Sequence, residues 1–174
     1  MEINIRKPDH DDVPVIADLH IAAWQHAYAG MVPDHVLNEL SLEQFISRWH
    51  ERIVNLKSSE HVRIAVLQDE VLGFAMFGES REAMDLPQDF GEIYALYVHP
   101  KHWRKGAGSE LIQYTFSWFD ENRYPGVFLW ALKANHRARS FYEKAGMVLI
   151  PQERYINTHG VELLCCCYCN KSIL

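Results

Sequence analysis

The stretch of this 174-residue chain richest in chemical suggestion is YVHPKHWRKGAGSEL, residues 97–111. It sets Arg104 and Lys105 directly before Gly106, Ala107, Gly108 and Ser109, and runs into an apolar pattern of helical period. A strand, a glycine-rich turn and a helix start make an anion site, because backbone N–H groups and the helix dipole point at one spot. Glycine lets the backbone come close to the ligand. A phosphate or pyrophosphate is the natural guest. Two common nucleotide motifs fit poorly. A Walker loop needs Lys and Ser/Thr after its last glycine, whereas Gly108 is followed by Ser109, Glu110 and Leu111. A dinucleotide fingerprint needs a small residue where Leu111 stands, and an early strand. The plain alternative is a solvated turn with glycines for backbone reasons.

Charge supports a ligand. The formal net charge is −6, yet residues 99–144 hold eight Lys and Arg against four Asp and Glu, so that segment is +4 and the remainder −10. A basic island in an acidic protein points to an anionic ligand and not to nucleic acid, which needs a broadly basic face. Ten histidines are scattered without ligand spacing, so no metal is expected.

The four cysteines fall in CCCYC, residues 165–169. Neighbouring cysteines do not meet disulfide geometry, and the spacing is not that of a zinc site. A buried strand in a reducing compartment is expected. This apolar segment has two placements: an edge strand that pairs with a second copy to give a homodimer, or an interior strand. No apolar run is long enough to span a membrane, and MEINIRKPDHDD has no signal-peptide core, so a cytoplasmic protein is expected.

The elements that must position the loop are read from periodicity. INIRKP is a first strand. Val13, Ile16, Ala17, His20, Trp24, Ala27 and Tyr28 form a helical stripe, with Asp9 or Asp11 at its start and Gly30 at its end. PDHVLNEL and SLEQFISRWHERIVN form a second helical region capped by Ser41. HVRIAVLQDEVLGFAMFGES is a hairpin, GEIYALYV a strand, and residues after Gly108 a helix of about four turns. GVFLWAL is a buried strand, NHRARSFYEKAG a helix capped by Asn135 and stopped by Gly146, and MVLIP and VELLCCCYC are strands. The order is βααβββαβαββ, hence one mixed α/β (α+β) domain over residues 1–174.

EIYALYV, HPKHWRKGAGSELI, VFLWAL and NHRARSFYEKAGM, in that order, resemble the GCN5-related N-acetyltransferase (GNAT) superfamily. The likeness is specific over about residues 92–150 and extends over nearly the whole chain in element order. It implies a mostly antiparallel central sheet with helices on both faces. It implies an acyltransferase that moves an acetyl group from acetyl-CoA to a primary amine, on a small molecule or a peptide, by direct transfer in a ternary complex. A non-catalytic acetyl-CoA sensor is the alternative. In the family the loop reads [QR]-x-x-G-x-[GA]; Gly106 and Gly108 match, whereas Trp103 stands at the Gln/Arg position, with Arg104 and Lys105 beside it to supply charge. The loop, Trp103 to Ser109, is then the pyrophosphate cradle, with Lys101 and Lys144 nearby. Leu96, Tyr97 and Val98 offer backbone groups to the pantetheine arm, and Asn135 contacts it.

Tyr142 matches the family's general acid, although it also falls on the core stripe of its helix with Ala138, Phe141 and Ala145. Strand alternation puts Glu92, Tyr94, Leu96 and Val98 on one face. Glu92 is a candidate general base, directly or through water, and Glu79 a second; an exposed strand-end charge is the plain reading. Trp24 and Tyr28, with His26 and Trp49 in reserve, are candidates to line the acceptor pocket, against ordinary core packing. The acidic remainder of the chain favours a cationic acceptor.

Overall fold

The computed structural model describes residues 2–81, 89–158 and 160–170. Seven strands form one sheet: β1 (Asn4–Arg6), β2 (Glu60–Leu67), β3 (Glu70–Glu79), β4 (Gly91–Val98), β5 (Val127–Leu132), β6 (Val148–Thr158) and β7 (Val161–Cys169). Their order across the sheet is β1-β2-β3-β4-β5-β7-β6, and every neighbouring pair is antiparallel except β4 and β5. The helices are α1 (Val13–Ala27), α2 (Asp34–Asn38), α3 (Leu42–Val54), α4 (Ala107–Glu121) and α5 (His136–Lys144). None of the described helices is long and apolar enough to cross a membrane.

The mixed fold and the element order are as expected, with one addition. The second helical region is two helices, because Leu40 and Ser41 interrupt it and the Ser41 side chain accepts from the Gln44 N–H to start α3 afresh. Helices cover both faces. Leu111, Ile112 and Phe119 of α4 and Tyr142 of α5 pack on one face with Phe77, Leu129 and Tyr168. On the other, Ile16 and Leu19 of α1 and Trp49 of α3 pack on Ile64, Phe74 and Met76. Burying these apolar side chains is the main force holding the layers together, at about 1.5–3 kcal/mol each.

The β2–β3 hairpin closes through a two-residue turn, Gln68 and Asp69, both with positive φ (49° and 66°). That geometry matches the twist of paired strands. β6 runs further than the sequence suggests, through Pro151 to Thr158. It is the sheet edge, and its register slips between Ile150 and Glu153, so the proline needs no ladder partner there.

The cysteine strand is interior. β7 lies between β5 and β6, and Cys165, Cys166, Cys167 and Cys169 are buried free thiols. The edge-strand route to a homodimer through this segment is therefore closed, since both its backbone edges are already paired. Burial on both faces is why the segment reads as a continuous apolar run.

Two irregularities of β4 shape the centre of the sheet. Ala95 pairs with Met76 and Ile93 with Phe77, so Tyr94 is an extra residue, a β-bulge. The expected alternation fails there. Leu96 and Val98 pack with Ile93 on the α4 side, and Tyr94 and Tyr97 pack on the α1 side. Further, β4 and β5 pair only from Gly91 to Ile93 and from Val127 to Leu129. Beyond Ile93 the two parallel strands diverge.

Candidate functional site

The divergence of β4 from β5 opens a cavity of about 1110 Å³. Its wall takes residues from both faces of the sheet: Gly106, Gly108, Phe141 and Tyr142 from the α4–α5 side, and Trp24 and Tyr28 from α1. The cavity therefore passes between the two strands and has two ends.

One end is the glycine loop. Gly106 is the N-cap of α4 with φ +93°, a conformation glycine takes without strain. The ladder of α4 begins with Glu110 N–H to Gly106 O at 3.0 Å, so the amides of Ala107, Gly108 and Ser109 precede it. A Cβ on Gly108 would come within 3.3 Å of the Phe141 ring, which keeps this position small. Arg104, Arg137 and Lys144 line this end. Lys101 and Lys105 do not.

Trp103, the departure from the family pattern, has a structural task. Its indole N–H donates to the Val98 carbonyl at 2.8 Å and so ties the loop to the end of β4. The Arg137 guanidinium lies 3.3 Å from the Trp103 ring centroid, a close cation–π contact. Burial and the neighbouring charge of Arg104 lower the Arg137 pKa. Arg137 is a cation of the wall that the loop's own sequence does not reveal, because it comes from α5. The signal is present in the spacing: it stands two residues after the helix cap Asn135.

Asn135 is buried, and its side-chain oxygen accepts from the Ala138 N–H at 3.1 Å to start α5. It also lines the cavity, so the capping role and a ligand-facing position coincide. Tyr142, two turns on, is 9% exposed and borders the cavity. Burial pushes its phenol well above the ordinary tyrosine range, so it keeps its proton at neutral pH. Leu96, Tyr97 and Val98 border the cavity where β4 has left β5, although the Val98 carbonyl already accepts from Trp103.

The other end is aromatic. Trp24 and Tyr28 stand edge-on at 5.2 Å, and the Tyr28 hydroxyl meets that of Tyr97 at 2.7 Å. Burial raises the Tyr28 pKa strongly, so the pair is neutral. Both α1 residues are core and wall at once. Trp49 is core only: it donates to the His20 ring nitrogen at 3.3 Å. His26 lies edge-on to Trp103 and is not part of the wall. Trp130 of β5 and Arg154 of β6 complete this end, the guanidinium 4.4 Å from the indole centroid.

Glu92 is 3% exposed and sits on the wall. Arg81 grips both its oxygens, with Nη2 to Oε1 at 2.7 Å and the backbone N–H to Oε2 at 3.0 Å. The carboxylate is thus a buried, paired anion, not an exposed strand end. Arg81 also lies 4.1 Å over the Tyr94 ring, so the bulged residue supports the pair. Glu79 is exposed and absent from the wall; its carbonyl accepts from the Tyr94 hydroxyl. Sequence reasoning misses Arg81, Trp130 and Arg154, which no local motif joins.

Known proteins share this architecture. A Bacillus subtilis (strain 168) protein described as the uncharacterized N-acetyltransferase YuaI is 29% identical over 136 residues, 76% of this chain and 73% of its own. The PaiA N-acetyltransferase of Thermoplasma acidophilum, solved with coenzyme A, superimposes with a TM-score of 0.69 at 19% identity, over 99% of this chain and 100% of that one. The Salmonella typhimurium yncA structure, a putative acetyltransferase with its cofactor acetyl-CoA, gives 0.69 at 17% identity, over 100% and 97%. Residues 20–147 match the acetyltransferase (GNAT) family, the greater part of the chain, and the protein belongs to that family.

Proposed function

We propose that this protein is an N-acetyltransferase that moves an acetyl group from acetyl-CoA directly to a primary amine. The observation that carries the reading is the cleft between the diverging β4 and β5, with an uncapped helix start and three cations at one end and a buried tyrosine between the ends. Solved members of the fold contain coenzyme A or acetyl-CoA, in keeping with a site of this shape.

Each residue has a task in this reading. The amides at the start of α4, with Arg104, Arg137 and Lys144, hold the phosphates. The backbone of β4 from Leu96 to Val98 and the Asn135 carboxamide hold the pantetheine arm. Tyr142, kept protonated by burial, gives its proton to the departing thiolate. Glu92, paired with Arg81, draws the acceptor's ammonium and takes its proton, directly or through water. With donor and acceptor in one cleft, the entropic cost of bringing them together is met by binding.

The test is a calorimetric titration with acetyl-CoA beside ATP and NADH, followed by a thiol-release screen of amines. Saturable binding of acetyl-CoA alone, and thiol release that depends on an amine, are expected. Binding of acetyl-CoA with no release for any amine would replace the transferase with a binding module.

A further inference from the structure

The aromatic end of the cleft contains a box of carbon surface drawn from three parts of the chain. Trp24 and Tyr28 of α1, Val32 ahead of α2 and Leu163 of β7 all border the cavity. The same four side chains belong to one packed apolar cluster, with Val36 and Leu37 of α2 behind them. The box is therefore a piece of core that opens on the cleft, and packing holds its members in place. Trp24 and Tyr28 meet edge to face, with ring centroids 5.2 Å apart. A third ring set beside such a pair finds both an edge and a face to pack on.

The polar atoms of these rings are turned on one another. The Tyr28 and Tyr97 hydroxyls meet at 2.7 Å. The Trp24 indole also hydrogen-bonds to the Tyr97 hydroxyl, which works against burial in setting the Tyr97 pKa. Most of the hydrogen-bonding capacity of the three rings is thus used inside the wall, and what they offer a ligand is chiefly carbon. The box also adjoins the reacting centre. Tyr28, Tyr97 and Tyr142 all border the cavity. Tyr142 is near enough to Tyr28 to oppose its ionisation, and Tyr97 opposes that of Tyr142 in the same way.

We propose that the acceptor is an apolar primary amine of the arylalkyl type, its ring seated among Trp24, Tyr28, Val32 and Leu163 and its nitrogen turned to Tyr142. The identity of the amine as the reacting group rests on the transferase reading above; the recognition of the apolar body rests on the box. Moving a hydrocarbon ring from water onto such a wall is favourable in proportion to the area covered. A polyamine, which the acidity of the whole chain suggests, would set a second ammonium against carbon and lose hydration there. In the transfer, the ammonium first loses a proton towards Glu92. The neutral nitrogen then forms the C–N bond as the C–S bond breaks. The thiolate takes a proton from Tyr142, and the nitrogen's second proton returns to Tyr142 through solvent. The products are the N-acetyl arylalkylamine, the free thiol and the one proton that Glu92 passes on.

The experiment is a series of amines titrated by tryptophan fluorescence, with and without coenzyme A, since Trp24 is part of the wall. Propylamine, heptylamine and phenethylamine are set beside hexamethylenediamine, which replaces the heptylamine methyl with an ammonium, and beside spermidine. Phenethylamine and heptylamine bind about tenfold or more tighter than propylamine, and the two polycations bind about tenfold or more weaker than heptylamine. Leu163→Ala lowers the ratio of phenethylamine to propylamine affinity about threefold or more and leaves acetyl-CoA affinity unchanged. Leu163→Met, which keeps the volume, holds the ratio within about twofold of wild type. The proposal is overturned if affinity does not rise with apolar size, if a polycation binds as tightly as heptylamine, or if Leu163→Ala leaves the ratio intact. The wild-type series decides the matter even where a variant does not fold. Loss of acetyl-CoA binding would sink the transferase reading separately, since the amine titrations need no acetyl donor.

Discussion

The two ends of the cleft are built in different ways. The loop end comes from one run of chain, Leu96 to Ser109, plus a helix that starts at Asn135. The aromatic end takes Trp24 and Tyr28 from α1, Arg81 and Glu92 from around β4, Trp130 from β5 and Arg154 from β6. A phosphate site needs backbone amides in a fixed local geometry, and a short motif encodes that. An acceptor site needs side chains converging from separate elements, and only the sheet order brings them together. The first kind of site is shared across a family; the second is where members differ.

The largest expected effect tests the residue that joins the two ends. Tyr142→Phe should lower kcat by about 10²–10⁴-fold, the usual worth of a positioned acid, with acetyl-CoA affinity unchanged by calorimetry. A loss below about tenfold would return Tyr142 to the core stripe that its neighbours Ala138 and Ala145 also occupy.

Two further variants test the separation of the ends. Trp103→Ala removes the bond to the Val98 carbonyl and the ring beside Arg137. Each contact is worth about 1 kcal/mol, so acetyl-CoA should bind about tenfold or more weaker while acceptor KM stays put. If acceptor KM moved in parallel, the ends would not be independent. Glu92→Gln makes the complementary change. It keeps the shape and leaves Arg81 facing a neutral amide, so acceptor kcat/KM should fall about tenfold to a hundredfold, more steeply at low pH where the amine is charged. Unchanged acceptor kinetics would show that a water chain alone removes the proton.

Legibility in the sequence divides in the same way. The loop, its two glycines, the Asn135 cap and Tyr142 are all readable because each depends on residues near it in the chain. So are six of the seven strands in kind and extent, the exception being β6, which a proline at a bulged edge disguises. Simple alternation misplaces Leu96 and Val98 because a single bulged residue, Tyr94, reverses it, and nothing in IYALYV marks the bulge. Arg137 counts among the basic residues without a place until α5 is folded, and Trp103 reads as a loss when it is a strut. Trp130 and Arg154 sit on strands that pair through β7, and no spacing rule links positions 130 and 154.

The smallest effect concerns stability and again separates the ends. His20, behind the aromatic wall, contacts Trp49, Phe74 and Tyr97, and burial with the charge of Arg52 lowers its pKa to about 3 from 6.5. The native state thus holds the ring neutral while the unfolded chain takes a proton below 6.5. The unfolded state binds more protons in that range, so stability is complete above pH 6.5 and is lost as pH falls towards 3, by at most about 1.4 kcal/mol per unit. The Arg6–Asp12 pair adds its own loss only below the ordinary carboxylate range, because Arg6 lowers the Asp12 pKa. Between pH 6.5 and 4.5 the decline in urea midpoint should therefore be shallower in His20→Leu than in wild type, even though the variant starts lower for want of the Trp49 acceptor. Equal slopes would place the acid sensitivity elsewhere. A shallower slope in the variant would mean that mild acid loosens the aromatic wall from behind, through the ring that packs against Tyr97.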